Sequence, residues 1–246
     1  MNPRPHVAAA ARAGTILRSV PDVRILHGDD SLVVVDKPAG VIVHRGWAND
    51  DDDLMRAVRD AVGRHVYPVH RLDRGASGAV LMALDSHTAG ALGAAFAEQR
   101  VEKRYWALTR GHPPAEGIIE HAIEKVPGGP RLPAVTAFRT LGVSGRYALV
   151  EAIPHTGRLH QIRRHLKHVA CPLIGDVRYG KGEHNRLFRE RHGLHRLALH
   201  AAFLAFDHPA SGARLGVSAP LTGALRTCLE ELGLLGAAER AGSEYG

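Results

Sequence analysis

The stretch His70-Arg71-Leu72-Asp73-Arg74-Gly75-Ala76-Ser77-Gly78 places one carboxylate, Asp73, between two arginines in an otherwise apolar setting. Nearby positive charge favours the ionised form of a carboxylate, so Arg71 and Arg74 are expected to keep Asp73 charged. An ionised, partly buried aspartate can act as a nucleophile or as a base. Taken alone, the pattern is more typical of a surface ion pair at a strand end. Other segments must therefore support any chemical interpretation of it.

The bulk composition excludes several protein classes. The chain has 246 residues, of which 45% are hydrophobic and 23% charged, an ordinary globular composition. No apolar run approaches the length of a membrane span. With two cysteines, Cys171 and Cys228, a disulfide scaffold is excluded and a cysteine-rich metal site is disfavoured. This cysteine usage predicts a cytoplasmic protein.

The charge balance points to a polyanionic partner. Lys and Arg number 32 against 25 Asp and Glu, which gives a formal net charge of +7. Most of the basic excess is Arg, whose planar fork suits phosphate, so nucleic acid is the default candidate. A high-GC coding bias would raise the Arg content equally well, so charge alone is weak support.

The order of the periodic segments predicts an α+β fold with a mixed, largely antiparallel sheet flanked by helices. Residues 1–22 have no sustained pattern and are predicted to be a disordered N-terminal extension, with residues 23–246 as one catalytic domain. Strands are predicted at 24–27, 32–35, 41–44, 67–72, 102–109, 118–123, 135–141, 146–153, 197–206 and 215–218. Helices are predicted after the acidic run 50–53, after a Ser86 cap, over 157–169 and over 221–235.

The predicted helix over 157–169 carries a second cluster of basic residues. Its apolar residues recur at helical spacing, and Arg163 borders that stripe, which predicts an inward guanidinium. Arg164 and Lys167 are predicted to face outward, and Arg158 lies near the helix start, where backbone amides favour anions. His165 and His168 are predicted to be solvated or to face phosphate, with a metal pair as the alternative.

Together these segments resemble the RluA-type pseudouridine synthases. The resemblance covers about Val23 to Pro220 and rests on the joint order of several segments. They are Val35–Gly40 with Val43-His44, His70–Arg74 with Ser77-Gly78, Glu102–Tyr105, Thr156–Arg163, Pro172–Asp176 and Leu199–Ala201. One departure is Ala76, where the family usually has Thr or Ser. The hydrogen bonding of that loop is therefore in doubt, whereas Asp73 is retained.

The resemblance implies an isomerase that breaks the glycosidic bond of a uridine, turns the base and rejoins it through carbon, without a cofactor or metal. It assigns catalysis to Asp73, with Arg163 as its ion-pair partner. Tyr105 would stack on the flipped uracil, although an aromatic residue in a strand is more often part of the core. Arg71 would occupy the vacated place in the RNA, because an arginine plane can stack there.

The resemblance also implies RNA as the partner of a monomer without membrane attachment. The candidate substrate-binding residues are Arg71, Arg74, Arg104, Arg158, Arg164 and Lys167. Phosphate contact is the expected role of four of these, namely Arg104, Arg158, Arg164 and Lys167.

Within the family the chain resembles the TruC-type members, which act on tRNA, with uridine 65 of the T stem as the implied target. Segments around Val43–Trp47, Gln161–Leu166, Asn185-Arg186 and His192–Leu194 carry this similarity. Three alternatives stay open at this point. They are a ribosomal-RNA synthase of the same family, a non-catalytic RNA-binding or RNA-folding module, and a metal-dependent hydrolase built on the histidines.

Overall fold

The computed structural model describes residues 23–44, 53–126 and 128–245. The predicted extension at 1–22 and most of the acidic run at 50–53 lie outside these ranges. The strands are β1 Arg24–Gly28, β2 Leu32–Lys37, β3 Tyr67–Pro68, β4 Ser77–Ala83, β5 Glu102–Arg110, β6 Glu116–Glu120, β7 Ile123–Glu124, β8 Arg131–Leu132, β9 Val135–Ser144, β10 Tyr147–Pro154, β11 Leu199–Asp207 and β12 Arg214–Ser218. The helices are α1 Leu54–Val62, α2 Ser86–Ala97, α3 Gln161–His168, α4 Gly182–His192, α5 Gly223–Glu231 and α6 Leu235–Ser243.

One sheet of ten described strands organises the molecule. Its main path runs β1-β2-β4-β11-β5-β10-β9-β6, with β12 added beside β11 and β3 beside β4, while β7 and β8 form a separate hairpin. The pairing of β4 with β11 is parallel, and the other pairings in this sheet are antiparallel. The prediction of an α+β fold with a mixed, largely antiparallel sheet is confirmed.

The central strands are buried on both faces, and their alternating side chains pack in different hydrophobic cores. On one face, Val33 and Val35 of β2 join Tyr105 of β5 and the apolar stripes of α1 and α3. The opposite face of β5 contributes Trp106, which packs with residues of α4, α5 and α6. Gly78 lets β4 approach β11 closely, because a Cβ there would lie 2.2 Å from the Ala201 carbonyl oxygen.

Several predicted boundaries are wrong in position. The strand predicted at 67–72 ends at Pro68. Beyond it, the ring Nε2 of His70 accepts the hydrogen bond of the Leu81 amide at 2.9 Å, so a side chain takes the place of a strand partner. The strand predicted at 41–44 is reduced to one isolated bridge between Ile42 and Asp53.

The helix predictions also need correction. Asp85, not Ser86, caps α2, because its carboxylate accepts the Thr88 amide. Asp53 caps α1 in the same way, as predicted for the acidic run. The helix predicted over 221–235 is α5, which ends at Glu231, and Gly233 with a φ of 69° separates it from α6, a helix that was not predicted. Helix α4 was not predicted, and the strand predicted at 118–123 is divided between β6 and β7.

Candidate active site

Asp73 lies in the loop between β3 and β4 and lines an open cavity. Its side chain is 23% exposed, and its two oxygens have different surroundings. Arg163 donates a 2.8 Å hydrogen bond to Oδ2. Oδ1 is 3.8 Å from Nε2 of His160, which is beyond hydrogen-bond distance. Oδ2 is therefore held, whereas Oδ1 accepts no hydrogen bond from the described residues and can receive a ligand.

The guanidinium of Arg163 is itself fixed by a second carboxylate. Its Nε and Nη2 donate to the two oxygens of Asp176 at 2.8 and 2.9 Å. Burial would raise the pKa of Asp176, but the Arg163 hydrogen bonds and two backbone amides outweigh it and hold the pKa below its usual value. Burial opposes the charge of Arg163, but its bonds to the two carboxylates raise the pKa overall, so this arginine stays charged.

The loop that carries Asp176 depends on the glycine before it. Gly175 adopts a φ of 75°, and a Cβ there would lie 1.9 Å from the Arg196 carbonyl oxygen. The Asn185 side chain accepts from the Gly175 amide at 2.8 Å and donates to the Asp176 carbonyl at 2.9 Å. Helix α4 thereby holds the carboxylate that orients Arg163.

Helix α3 begins later than predicted, at Gln161, because the Gln161 side chain organises the preceding turn. Its Oε1 accepts from the Thr156 hydroxyl at 2.6 Å and from the Arg158 amide at 3.0 Å. The last turn residue, His160, has a left-handed φ of 54°. This turn directs the His160 ring toward Asp73, and its Nδ1 is 3.1 Å from the Tyr179 hydroxyl.

The Asp73 loop is tied to the turn after β2. Lys37 is fully buried, and its ammonium donates to the carbonyls of Pro38 and Val41 at 2.8 and 2.7 Å and to that of Arg74 at 3.4 Å. Arg74 in turn donates from Nε to the Gly40 carbonyl at 2.9 Å. Burial lowers the pKa of Lys37 to about 7, and the Arg196 charge acts in the same direction.

Ala76 occupies the position where a hydroxyl was expected from the resemblance. Its side chain is fully buried, and its amide donates to the Asp73 carbonyl at 3.0 Å. The backbone therefore closes the turn without a side-chain hydroxyl at this position.

The cavity above Asp73 has a volume of about 540 Å³, within the range of small-ligand sites. Tyr105 forms part of its wall and is nearly buried, at 9% exposure. Burial and the Asp73 charge raise the pKa of Tyr105, so its hydroxyl is protonated near neutral pH. Arg71, Lys103 and Arg158 also line the cavity.

The predicted phosphate-binding residues do not all meet at this cavity. Arg158 lies at it and donates to the Pro133 carbonyl at 3.1 Å. On α3, Arg164 donates to the Glu124 carbonyl at 3.1 Å, and the exposed Lys167 ammonium is 5.9 Å from the Tyr179 ring centre. Arg104 is not brought to the cavity, because it follows the opposite side-chain direction from Tyr105 along β5.

The expectation for His165 is wrong. This ring is fully buried, with Nδ1 2.9 Å from the Thr136 hydroxyl and Nε2 2.9 Å from the His121 carbonyl oxygen. Burial lowers the pKa of His165, which favours the neutral ring of a core residue. His168 is exposed and stacks on the His121 ring. Within residues 23–44, 53–126 and 128–245, no group of three or more His, Cys, Asp or Glu side chains could hold a metal ion.

Five residues that the sequence predicted for the site line one cavity, namely Asp73, Arg163, Tyr105, Arg71 and Arg158. The sequence assigned no role to several residues beside them. Those residues are Lys37, Lys103, His160, Asp176 and Tyr179. All of them except Tyr179 lie inside the motif segments that carry the family resemblance, and that position was the only indication in the sequence of a role at the site.

The sequence profile of a family described as RNA pseudouridylate synthase matches residues 31–168. The fold agrees, because two human structures titled RNA Pseudouridylate Synthase Domain Containing 4 and 1 both superpose with a TM-score of 0.70, at 28% and 27% identity. The matches cover 85% and 91% of this chain and 93% and 96% of those chains. This chain therefore belongs to the RluA-type family of RNA pseudouridine synthases, and it is an isomerase whose substrate class is RNA.

Three curated relatives of this chain within the family share one name. The tRNA pseudouridine synthase C of Vibrio parahaemolyticus is 38% identical over 81% of this chain and 91% of its own length. The proteins of the same name from Vibrio cholerae and Salmonella typhimurium are 37% and 36% identical over 86% and 87% of this chain. They are covered over 96% and 91% of their own lengths. In the part of the chain that the structure describes, no helix is long and apolar enough to cross a membrane.

Proposed function

We propose that this protein converts uridine to pseudouridine in tRNA and that its target is uridine 65 in the T stem. The observation that carries the proposal is the 36–38% identity to three proteins named tRNA pseudouridine synthase C, over 81–87% of this chain. The +7 net charge agrees with a polyanionic substrate.

The reaction is an isomerisation with a closed atom balance. The bond between ribose C1′ and uracil N1 breaks, the base turns, and a bond forms between C1′ and uracil C5. The C5 proton is lost to a base and then to water, while N1 gains a proton. No electrons are exchanged with a second reactant, so the reaction needs no redox cofactor and no energy source.

Asp73 is the catalytic carboxylate in this proposal, and Oδ1 is its reacting oxygen. Arg163 holds Oδ2 at 2.8 Å and is braced by Asp176, so the carboxylate keeps its orientation as a nucleotide enters. Attack on the ribose and assistance to the departure and deprotonation of the base both need an ionised oxygen directed into the cavity. The guanidinium of Arg163 keeps a positive charge 2.8 Å from the carboxylate.

Tyr105 contacts the flipped base in this proposal, and Arg71 contacts the place in the RNA that the base has left. The target base must leave its stack to reach a carboxylate inside a cavity. The Tyr105 ring on the wall provides an apolar surface for the flipped uracil. Arg71 is exposed at the same cavity, where its guanidinium can enter the place that the base vacates.

The remaining basic residues are proposed to contact the RNA backbone beside the cavity. Arg158 and Arg164 have backbone carbonyl partners but no carboxylate partner among the described residues, and Lys167 is exposed, so their charges suit phosphate. Arg74 is exposed beside Asp73 and is proposed to bind substrate as well. The binding role of Arg104 stays a prediction that the geometry does not support.

Three further predictions accompany this function. Residues 23–246 are proposed to act as one catalytic domain, and the protein is proposed to work as a monomer. A cytoplasmic location agrees with two buried cysteines that are both free thiols.

Tritium release from RNA made with 5-tritiated uridine tests the function. Pseudouridine formation frees the hydrogen on C5, whereas binding or hydrolysis leaves it in place. Unmodified tRNA and ribosomal-RNA transcripts are assayed in parallel at the same salt. A tRNA transcript with cytidine at position 65 serves as the matched control for the site.

Release from tRNA that is lost in the cytidine-65 transcript is the expected result. Release from ribosomal RNA alone would keep the enzyme and reject the tRNA substrate. Release from the cytidine-65 transcript at the normal level would reject the position. No release from either RNA by a folded, RNA-binding protein would favour the binding-module alternative.

A further inference from the structure

Strand β5 presents two neighbouring cations, Lys103 and Arg104, in opposite directions. Side chains alternate along a strand, so Lys103 shares a direction with Tyr105, and Arg104 shares one with Trp106. The surroundings agree, because Lys103 and Tyr105 both line the cavity above Asp73. Trp106 belongs to the core under α4, α5 and α6 on the other face. A two-residue basic motif therefore divides its charges between two sides of the sheet.

The charge of Arg104 is already matched within the protein. Its guanidinium pairs with Glu102 at 2.7 Å and lies 3.7 Å from the buried Glu151. It also sits 5.1 Å from the centre of the Tyr245 ring. These contacts give Arg104 a place in the internal structure of that face.

Lys103 has no such match. Among the residues that the structure describes, no carboxylate pairs with its ammonium and no acceptor hydrogen-bonds to it. The side chain is half-buried, and the partial burial lowers the pKa of Lys103, so its positive charge is held at a cost. The Asp73 carboxylate on the same cavity does not need Lys103, because Arg163 is already its partner.

His70 adds no second positive charge beside Lys103. His70 lines the same cavity, and burial together with the Lys103 charge lowers the pKa of His70 to about 3. Its ring is therefore neutral at pH 7, with Nε2 occupied by the Leu81 amide. An ammonium that has no carboxylate partner at a cavity wall is a candidate binding site for an anion.

We propose that Lys103 binds a backbone phosphate of the nucleotide that enters the cavity. The proposal rests on the RNA-modifying function argued above and adds a residue that was not among the predicted contacts. A flipped nucleotide stays joined to the strand, so its flanking phosphates must follow the sugar to the cavity mouth. A compact ammonium suits one phosphate oxygen there, since it acts as a point charge. Contact with phosphate also repays the cost of holding that charge half-buried.

The experiment compares three variants of the whole protein with the wild type. Lys103→Gln removes the charge, and Lys103→Arg keeps it. Arg240→Gln removes one exposed charge from α6, on the face away from the cavity, and serves as the matched control. Binding of a tRNA transcript is measured between 50 and 200 mM salt, roughly the range over which backbone contacts are resolved. Single-turnover tritium release is measured at saturating protein, and circular dichroism checks folding.

Lys103→Gln is expected to weaken RNA binding about tenfold, as for the loss of one charge-assisted hydrogen bond. The magnitude of the slope of log K against log salt should fall by roughly 0.7–0.9, since one phosphate contact is lost. Lys103→Arg should restore most of the affinity and the slope, and Arg240→Gln should match the wild type. A structural role for Lys103 would lower stability without changing the salt slope.

An unchanged salt slope in folded Lys103→Gln would overturn the proposal. So would failure of Lys103→Arg to recover any affinity when both variants fold normally. The outcome is separate from that of the proposed function, since the function is judged by tritium release from the wild type alone. Phosphate contact is judged by the ratio between variant and wild type in binding.

Discussion

Two carboxylates, the partly exposed Asp73 and the fully buried Glu151, lie toward opposite faces of the sheet and have different surroundings. Glu151 on β10 is fully buried, accepts from Arg139 at 2.7 Å, and also accepts the Tyr245 hydroxyl. Asp73 is 23% exposed at an open cavity and has one strong partner, Arg163. Both are ion-paired, but only the second keeps an oxygen available to a ligand.

The difference shows how a chain separates stability from reactivity. Removing one partner of a buried ion pair is costly because the other charge is left without compensation, so Glu151 is expected to matter for folding. Asp73 is oriented through one oxygen, whereas Asp176 accepts two hydrogen bonds from Arg163 and balances its positive charge. Substitution of Asp73 should therefore cost chemistry rather than stability.

The largest expected effect comes from Asp73→Asn. The amide keeps the shape of the side chain but cannot supply an ionised oxygen, so single-turnover tritium release should fall by at least about 1000-fold. Binding of tRNA should stay within about threefold of the wild type, because the phosphate contacts are untouched. Filter binding and tritium release on one preparation measure both quantities.

Urea unfolding completes that comparison. The free energy of unfolding of Asp73→Asn should change by no more than about 1 kcal/mol, since Arg163 keeps both bonds to Asp176. Turnover near the wild-type rate would remove Asp73 from the mechanism. A severe loss of stability would show that the two carboxylates do not differ as argued.

Glu151→Gln is expected to show the reverse behaviour. It leaves Arg139 without its buried carboxylate, and should lower the free energy of unfolding by about 3 kcal/mol. The rate of tritium release per folded molecule should be unchanged, because Glu151 does not line the cavity. Chemical denaturation is the measurement.

The control for this variant is Glu244→Gln, which removes an exposed carboxylate from the same arginine. Exposed pairs contribute less than about 1 kcal/mol, so this change should be nearly silent. Equal losses in the two variants would contradict a special role for burial.

The sequence predicted the fold class and brought five of the site residues together, for physical reasons. Arg163 borders an apolar stripe at helical spacing, and that position did turn it inward to Asp73. The placement of Arg104 was not predicted, because choosing between adjacent cations needs the register of β5. A one-residue difference in a strand moves a side chain to the other face. The residue motif alone leaves that choice open.

The remaining misses share a cause. His165 sits on the same helix as the exposed Lys167, but a hydroxyl on β9 and a carbonyl before β7 satisfy both of its ring nitrogens. The strand expected to reach Leu72 is ended by the His70 side chain, which bonds to an amide on β4. Each hydrogen-bond partner is distant in the chain, so the local periodicity of the sequence cannot predict it.

A smaller effect is expected from the pH dependence of stability, and His200 tests it. This ring is buried, near Trp106, with Nδ1 2.8 Å from the Ser77 hydroxyl and Nε2 3.1 Å from the Ala219 carbonyl oxygen. Burial lowers the pKa of His200 to about 4 from the ordinary histidine value of 6.5. Between these values the unfolded chain binds a proton that the folded chain refuses.

The contribution of His200 to the free energy of unfolding is therefore fully present above about pH 6.5 and is lost as the pH falls toward 4. From pH 7 to pH 5 the wild type should lose about 2 kcal/mol through His200, a loss that His200→Gln should lack. The measurement is urea unfolding at both pH values, compared as the difference between the two proteins. An equal pH dependence in both would mean that His200 is protonated in the folded state.

The smallest effect is expected from Tyr245→Phe, which removes one hydroxyl from the surroundings of Glu151. That hydroxyl donates to Glu151 and accepts from the Trp106 indole at 3.0 Å, while the ring packs on Phe203. The ring survives in the variant, so the free energy of unfolding should fall by about 1 kcal/mol.

Tyr67→Phe is the matched control, since the Tyr67 hydroxyl has no hydrogen-bond partner among the described residues. Catalytic rates should be unchanged in both variants. If Tyr245→Phe costs no more than Tyr67→Phe, the two arginines alone satisfy Glu151. A cost in the Tyr245 variant alone would mean that Glu151 needs a third partner to be satisfied. That requirement separates Glu151 from Asp73, whose Oδ1 accepts no hydrogen bond from the residues that the structure describes.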